Sequence, residues 1–196
     1  ADCGKRLFVD SGLDQRLCTA TEGVDGFQLV EPVFDQMKRE IKRRKVRVLV
    51  IDPFVSSHQI DENKNVLIDA VAKRWKRLAH ETDCAIVLVH HTKKMGGREV
   101  RAEDSRGAIA SIAAARIVLT LNPMTTEEAE RFGITERAER LAMVRVDNDK
   151  ANRSPAENAY WLRKQSVYLG NVDGLYPSDS VGAAVPWTPP DPFEDV

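Results

Sequence analysis

The amino-acid sequence predicts an α/β fold organised around a parallel pair of strands, and three observations predict it. Val46-Arg47-Val48-Leu49-Val50-Ile51 is a short run, apolar except for Arg47, that ends in Asp52-Pro53. Cys84-Ala85-Ile86-Val87-Leu88-Val89 is a second, wholly apolar run, followed by His90-His91-Thr92-Lys93-Lys94. Between them, Asn65 to Thr82 carries Leu67, Val71, Trp75 and Leu78, with Ile68, Ala72 and Ala79, at helical spacing. Continuous apolar runs of this length suit strands covered on both faces, as in parallel sheets. A helix-length crossover between two such strands makes a right-handed βαβ unit. Pro53 cannot donate to a ladder, so it ends the strand and leaves Asp52 at the C-terminal edge. That edge is where open α/β sheets bind ligands. Taken alone, the run ending at Pro53 reads equally well as a buried strand with an ordinary Asp-Pro turn. The second run, ending in two histidines, tips the balance to a site.

The remaining elements follow in chain order. Arg6 to Asp10 reads as a short strand ended by Ser11-Gly12, residues 13–26 show no period, and Phe27 to Val30 reads as a further short strand. Pro32 opens a helix whose apolar face is Val33, Phe34, Met37 and Ile41. Its basic end, Lys42 to Lys45, complements the negative end of the helix dipole; a nucleic-acid patch is the lesser alternative. In the loop after Asp52, Asp61 reads as a cap for the next helix in preference to a metal ligand. His58 and His80 read as isolated surface residues, and Lys73, Arg74, Lys76 and Arg77 fall largely off the apolar stripe of the crossover helix. The loop 93–101 gathers Lys93, Lys94, Arg98 and Arg101 around Gly96-Gly97, which suits either a solvated loop or a phosphate-backbone contact. Asp104-Ser105-Arg106-Gly107 leads into a small-residue helix, Ala108 to Ala115, and then into the strand Arg116 to Leu121. Pro123 and the capping-box pattern Thr125-x-x-Glu128 start a helix that Gly133 ends. Leu141 to Val146 and Tyr160 to Leu169 read as two more strands flanking a polar turn, Asp147 to Pro155. From Asn171 onward five prolines and several acids give an aperiodic tail, expected to be disordered or an extended arm.

Composition bounds the partners. With 196 residues and 42% hydrophobic content the chain can bury a sizeable core. Its 29 basic and 30 acidic residues nearly cancel, so any nucleic-acid contact must be local. Cys3, Cys18 and Cys84 are odd in number and show no CxxC spacing, which is reduced, intracellular usage. No apolar run approaches the roughly 20 residues of a membrane span, and no signal sequence is visible, so a cytoplasmic location is expected.

Asp52 after four hydrophobic residues resembles a Walker B acid, and Asp61-Glu62-Asn63 with His90-His91-Thr92-Lys93 strengthens the likeness. In order and spacing these motifs resemble the RecA-like P-loop ATPase core of hexameric replicative DNA helicases, nearest the plasmid-replication, RepA type. The resemblance covers about residues 5 to 170. It implies a mostly parallel central sheet flanked by helices, with antiparallel strands toward the C-terminus. It thus divides the chain into a partial ATPase domain, 1–170, running from Walker B onward, and the proline-rich tail, 171–196. One departure is plain: no GxxxxGK[ST] phosphate loop occurs in the chain. In the family that loop lies upstream, so the chain, opening at Ala1, is expected to be the N-terminally truncated, C-terminal part of a larger protein.

The resemblance also implies roles. Asp52, with Pro53 beside it, would hold the waters of a Mg²⁺ bound to ATP, a task one carboxylate can perform. His90 and His91 stand where relatives carry a polar sensor of the γ-phosphate, and His91 is the better match. The rival readings are a hydrogen-bonded structural histidine and, behind it, a zinc site, disfavoured because Cys or Glu at ligand spacing is missing. Lys93, Lys94, Arg98 and Arg101 would line a channel and grip single-stranded DNA. Arg106, Lys150 and Arg153 would act as cations inserted in trans from a neighbouring subunit; Asn152 stands where the family has its second finger, and an exposed Arg at a helix start explains Arg106 nearly as well. Action in trans implies a homo-oligomer, expected to be a hexameric ring. The function expected is therefore that of an ATP-dependent DNA helicase in replication, with the isolated chain inactive. The alternative is a non-catalytic RecA-like module that binds a partner or DNA and regulates replication.

Overall fold

The computed structural model describes residues 6–12, 16–91, 99, 101, 112–151, 159–172, 174 and 177–190. They fall into two units, one drawn from residues 1–94 and 103–116, the other from 95–102 and 117–196.

In the first unit, β1 (Ala20–Gly23) and β2 (Gly26–Leu29) form an antiparallel hairpin. Gly26 turns the chain with φ 86°, a conformation glycine adopts without strain. Helix α1 (Glu31–Arg44) follows, with Pro32 in its first turn as expected. Its basic end is partly spoken for: Arg43 and Arg44 both bond the Glu40 carboxylate, at 2.6 and 2.9 Å. Then come β3 (Val48–Ile51), a 3₁₀ turn (Phe54–Ser57), α2 (Asn65–Thr82) and β4 (Ala85–Leu88). Strands β3 and β4 pair in parallel, Val48 opposite Ala85 through Ile51 opposite Leu88, so the expected strand–helix–strand unit forms.

Its covering differs from expectation. Leu49, Ile51, Ile86 and Leu88 pack on a core of Phe34, Ile41, Ile68, Val71, Trp75 and Leu78, but Val48, Val50 and Val87 are exposed. One face of the pair is covered and the other is open. A run apolar on both faces cannot reveal in sequence which face lacks a lid. Three smaller expectations also fail. Arg6 to Asp10 forms no strand, and Leu7 and Val9 are exposed. Arg74 is buried rather than off the stripe, because its guanidinium lies over the Phe34 ring and pairs with Glu31. Asp61 caps no helix: its Oδ1 accepts from the Asn63 N–H in a local turn, and the N-cap of α2 is Lys64.

The second unit is a four-stranded antiparallel sheet, β5 (Ile117–Pro123), β6 (Met143–Ala151), β7 (Tyr160–Tyr168) and β8 (Ser180–Trp187), paired in that order. Two short helices, α3 (Thr126–Arg131) and α4 (Arg137–Ala142), lie between β5 and β6. The capping box is present: the Thr125 hydroxyl accepts from the Glu128 N–H, and the Glu128 carboxylate accepts from the Thr125 N–H. Phe132, Trp161 and Trp187 meet edge to face at 5.6 to 6.0 Å over Met124, Ala129 and Met143.

Two corrections belong here. The expected polar turn from Asp147 is, as far as Ala151, part of β6; Asp147, Asn148 and Lys150 pair with Thr120, Leu119 and Val118. The tail from Asn171 supplies a full strand, β8, in register with β7 from Tyr168↔Ser180 to Trp161↔Trp187. Pro186 is tolerated because β8 is an edge strand, where a missing donor costs nothing in the ladder. Both corrections raise the antiparallel share. Among the described residues the sheets are therefore mixed and mostly antiparallel, with β3–β4 the parallel pair, in place of a mostly parallel central sheet. No helix among these residues is long and apolar enough to cross a membrane.

Candidate nucleotide site

The site begins with the strand ladder. Beyond the last β3–β4 pair, the Val89 N–H donates to the Ile51 carbonyl at 2.9 Å, and the Phe54 N–H donates to the Val89 carbonyl at 2.7 Å. These two bonds carry the pairing past Asp52 and hold it beside the Val89–His91 segment. Exposure alternates along β3 and on to Asp52, with Val48, Val50 and Asp52 open to solvent; on β4 Ala85 and Val87 are open, and beyond it Val89 and His90 are half-buried and His91 is exposed. Asp52 and His91 are thus both exposed and both lie just past the C-terminal ends of the paired strands.

The Nε2 of His90 lies 3.7 Å from Glu62 Oε1, and its ring lies 6.3 Å from that of Phe54. Of two adjacent histidines, His90 is engaged by the loop and His91 is exposed. Pro53 is half-buried at the start of that loop.

The loop itself is built more firmly than its sequence suggests. The Thr19 N–H and hydroxyl both donate to the Ser57 carbonyl at 2.7 Å, and the Gln59 N–H donates to the Ala20 carbonyl at 2.8 Å. The Ser57 hydroxyl donates to the Phe54 carbonyl at 2.7 Å. The strand entering β1 thus buckles the loop down. Its residues came from a stretch without period, so sequence reading passed over Thr19.

His58, expected at the surface, is buried. It is 7% exposed, its ring stands edge to face with Phe54 at 4.8 Å, and its Nδ1 accepts from the Ile60 N–H at 3.2 Å. Its Nε2 is buried without a hydrogen-bond partner among the described residues. Burial pushes the imidazole below the ordinary histidine range; Glu62 opposes that shift and His90 adds to it.

The other candidates divide. Lys150, expected on a turn, lies half-buried on β6 of the second unit. Arg101 is exposed and belongs to that unit. Lys93, Lys94, Arg98, Arg106 and Arg153 lie outside the described residues. Glu99, between Arg98 and Arg101, reaches Arg145 on β6 at 2.6 Å, where the same guanidinium also pairs with Glu128 and Asp147. That ion-pair hub had no signal in a pattern-based reading.

Donor chemistry sets what the edge can hold. Among the described residues no group of three His, Cys, Asp or Glu side chains is arranged to bind a metal ion. A lone exposed carboxylate suits Mg²⁺, which keeps most of its waters and takes few protein ligands. Asp52 fits that requirement.

The geometry defines a mixed α/β protein with an exposed acid and an exposed histidine past the ends of a parallel pair. Comparison with known families agrees at that level. A family model described as an AAA domain matches residues 1–97, a span that ends just past this edge and just short of half the chain. The N-terminal half is thus similar in sequence to AAA-type P-loop ATPases, a class that binds nucleotide, typically with Mg²⁺.

Proposed function

We propose that the chain is part of a RecA-like, ATP-dependent DNA helicase of the hexameric replicative type, RepA-like in its motifs. The observation that supports this reading is the parallel pairing of β3 with β4, which brings the chain at Asp52 beside the segment that leads to His91, both residues being exposed. Asp52 would hold the water shell of the Mg²⁺ that accompanies the triphosphate. When bound, that ion neutralises charge on the phosphates and favours phosphoryl transfer to water. His91 would donate to the γ-phosphoryl oxygens, where preorganised donors act on developing charge. His90, held by Glu62, backs it. Arg106, Lys150 and Arg153 would reach the nucleotide of a neighbouring copy, which makes a ring of identical subunits part of the proposal. Lys93, Lys94, Arg98 and Arg101 would grip the backbone of single-stranded DNA.

Strand separation by the full-length gene product tests the helicase reading. A forked duplex should be unwound with ATP and Mg²⁺ and left paired without either. Replacing Lys93 and Lys94 by Ala should weaken single-strand binding and flatten its log–log salt dependence by about one to two units, since each released phosphate contact contributes about −0.7. ATP turnover without unwinding would remove the helicase assignment and leave an ATPase. An unchanged salt slope and affinity would return loop 93–101 to an ordinary charged loop.

A further inference from the structure

We propose that His58 is a positioning residue of the nucleotide site, acting through Phe54 and Glu62 on His90 and so on the neighbouring His91. The inference rests on the reading of Asp52 and His91 as nucleotide-facing groups.

A buried histidine six residues beyond a candidate metal acid has two unusual features here. Its Nδ1 accepts from the backbone N–H two residues on, as Asn and Asp side chains do in Asx turns, so the ring fixes the bend at Gln59 and Ile60. With Nδ1 used as an acceptor, neutral His58 carries its proton on Nε2, and that atom has no hydrogen-bond partner among the described residues. A turn alone would be served by a smaller side chain that left no orphaned donor. The ring is retained for what its faces touch.

They touch the route to the sensor pair. The Phe54 ring stands 4.8 Å from the His58 ring on one side and 6.3 Å from the His90 ring on the other. The Phe54 backbone is bonded to Val89, the residue before His90. Glu62, four residues past His58, lies 3.7 Å from His90 Nε2. The Thr19 and Ala20 bonds hold the loop from the far side, so displacement of the His58 ring is passed on to Phe54 and Glu62. His91 follows His90 directly, so a shift of the backbone at His90 is carried to His91. A misplacement on the order of 1 Å at a reacting centre can cost about 100-fold in rate.

The test is a double-mutant cycle in the full-length gene product. His58→Asn keeps an acceptor for the Ile60 N–H and removes the ring. His58→Phe restores a ring against Phe54. His58→Asn should lower kcat for ATP about 10-fold with KM nearly unchanged and the melting temperature within a few degrees, and His58→Phe should recover most of the loss. In a His91→Ala background, itself slowed about 100-fold, adding His58→Asn should cost less than about two-fold, because the two residues act as a unit. A full 10-fold penalty in that background, or a kcat unaffected by His58→Asn alone, overturns the inference. Asp52→Asn and His91→Ala serve as controls for the parent reading. If both keep wild-type turnover, the nucleotide site is misassigned and the inference falls with it. If both lose turnover while His58→Asn does not, only the role of His58 is refuted.

Discussion

At Arg74 a single side chain ties the two long helices of the first unit together. Rising from α2, its guanidinium sits 4.2 Å from the Phe34 ring centre and makes a forked pair with Glu31 at the start of α1. That pairing holds the Glu31 carboxyl below the usual range. His58 supplies the pH prediction at this scale. Its folded pKa is depressed by burial from the ordinary 6.5, so the unfolded chain binds the proton more readily. Stability contributed by neutral His58 is present above about 6.5 and drains away as pH falls from there through the folded value. Urea denaturation midpoints taken between about pH 7.5 and 5 should fall more steeply for wild type than for His58→Asn. Parallel curves would mean that His58 titrates as an ordinary surface group. Legibility at this scale tracked locality. Asp52, His90 and His91 could be read because each ends an apolar run. His58, Thr19 and Arg74 could not, because their burial depends on partners 38 to 43 positions away or on how a loop folds back.

The elements divide in the same way. Helix α1 with its proline start, the crossover α2, and the capping box of α3 rest on local chemistry, and each formed close to where the pattern placed it. Strand β8 rests on a partner. Its sequence, Ser180 to Trp187, contains a glycine and a proline and shows little alternation, and only pairing with β7 makes it a strand. The Phe132–Trp161–Trp187 contact shows what that pairing gains, since Trp187 brings a third ring to the core of the second unit. Trp187→Ala should therefore destabilise this unit by about 2–4 kcal/mol, somewhat less than a fully buried aromatic because the ring is half-buried. Circular dichroism under urea would register the loss as a lower midpoint. An unmoved midpoint would mean that β8 adds little to the fold.

For the molecule as a whole, near-balanced charge excludes a general affinity for polyanions and leaves chemistry to local arrangements. The arrangement that defines the account is the edge where β3 and β4 end. Its neighbourhood follows from topology: a parallel pair with a helical crossover brings two strand ends together though they lie nearly forty residues apart in the chain. The open face that Val48, Val50 and Val87 form was hidden in the sequence, because a strand apolar on both sides reads as covered on both. The most direct test is ATP hydrolysis by the full-length gene product with and without Asp52→Asn. The exchange is isosteric and lies at an exposed position, so folding and melting temperature should be preserved. Turnover should fall by at least about 100-fold, the loss expected when the ion that balances the phosphates is no longer held. Turnover by the Asp52→Asn protein at the wild-type rate would contradict the account and place the chemistry elsewhere.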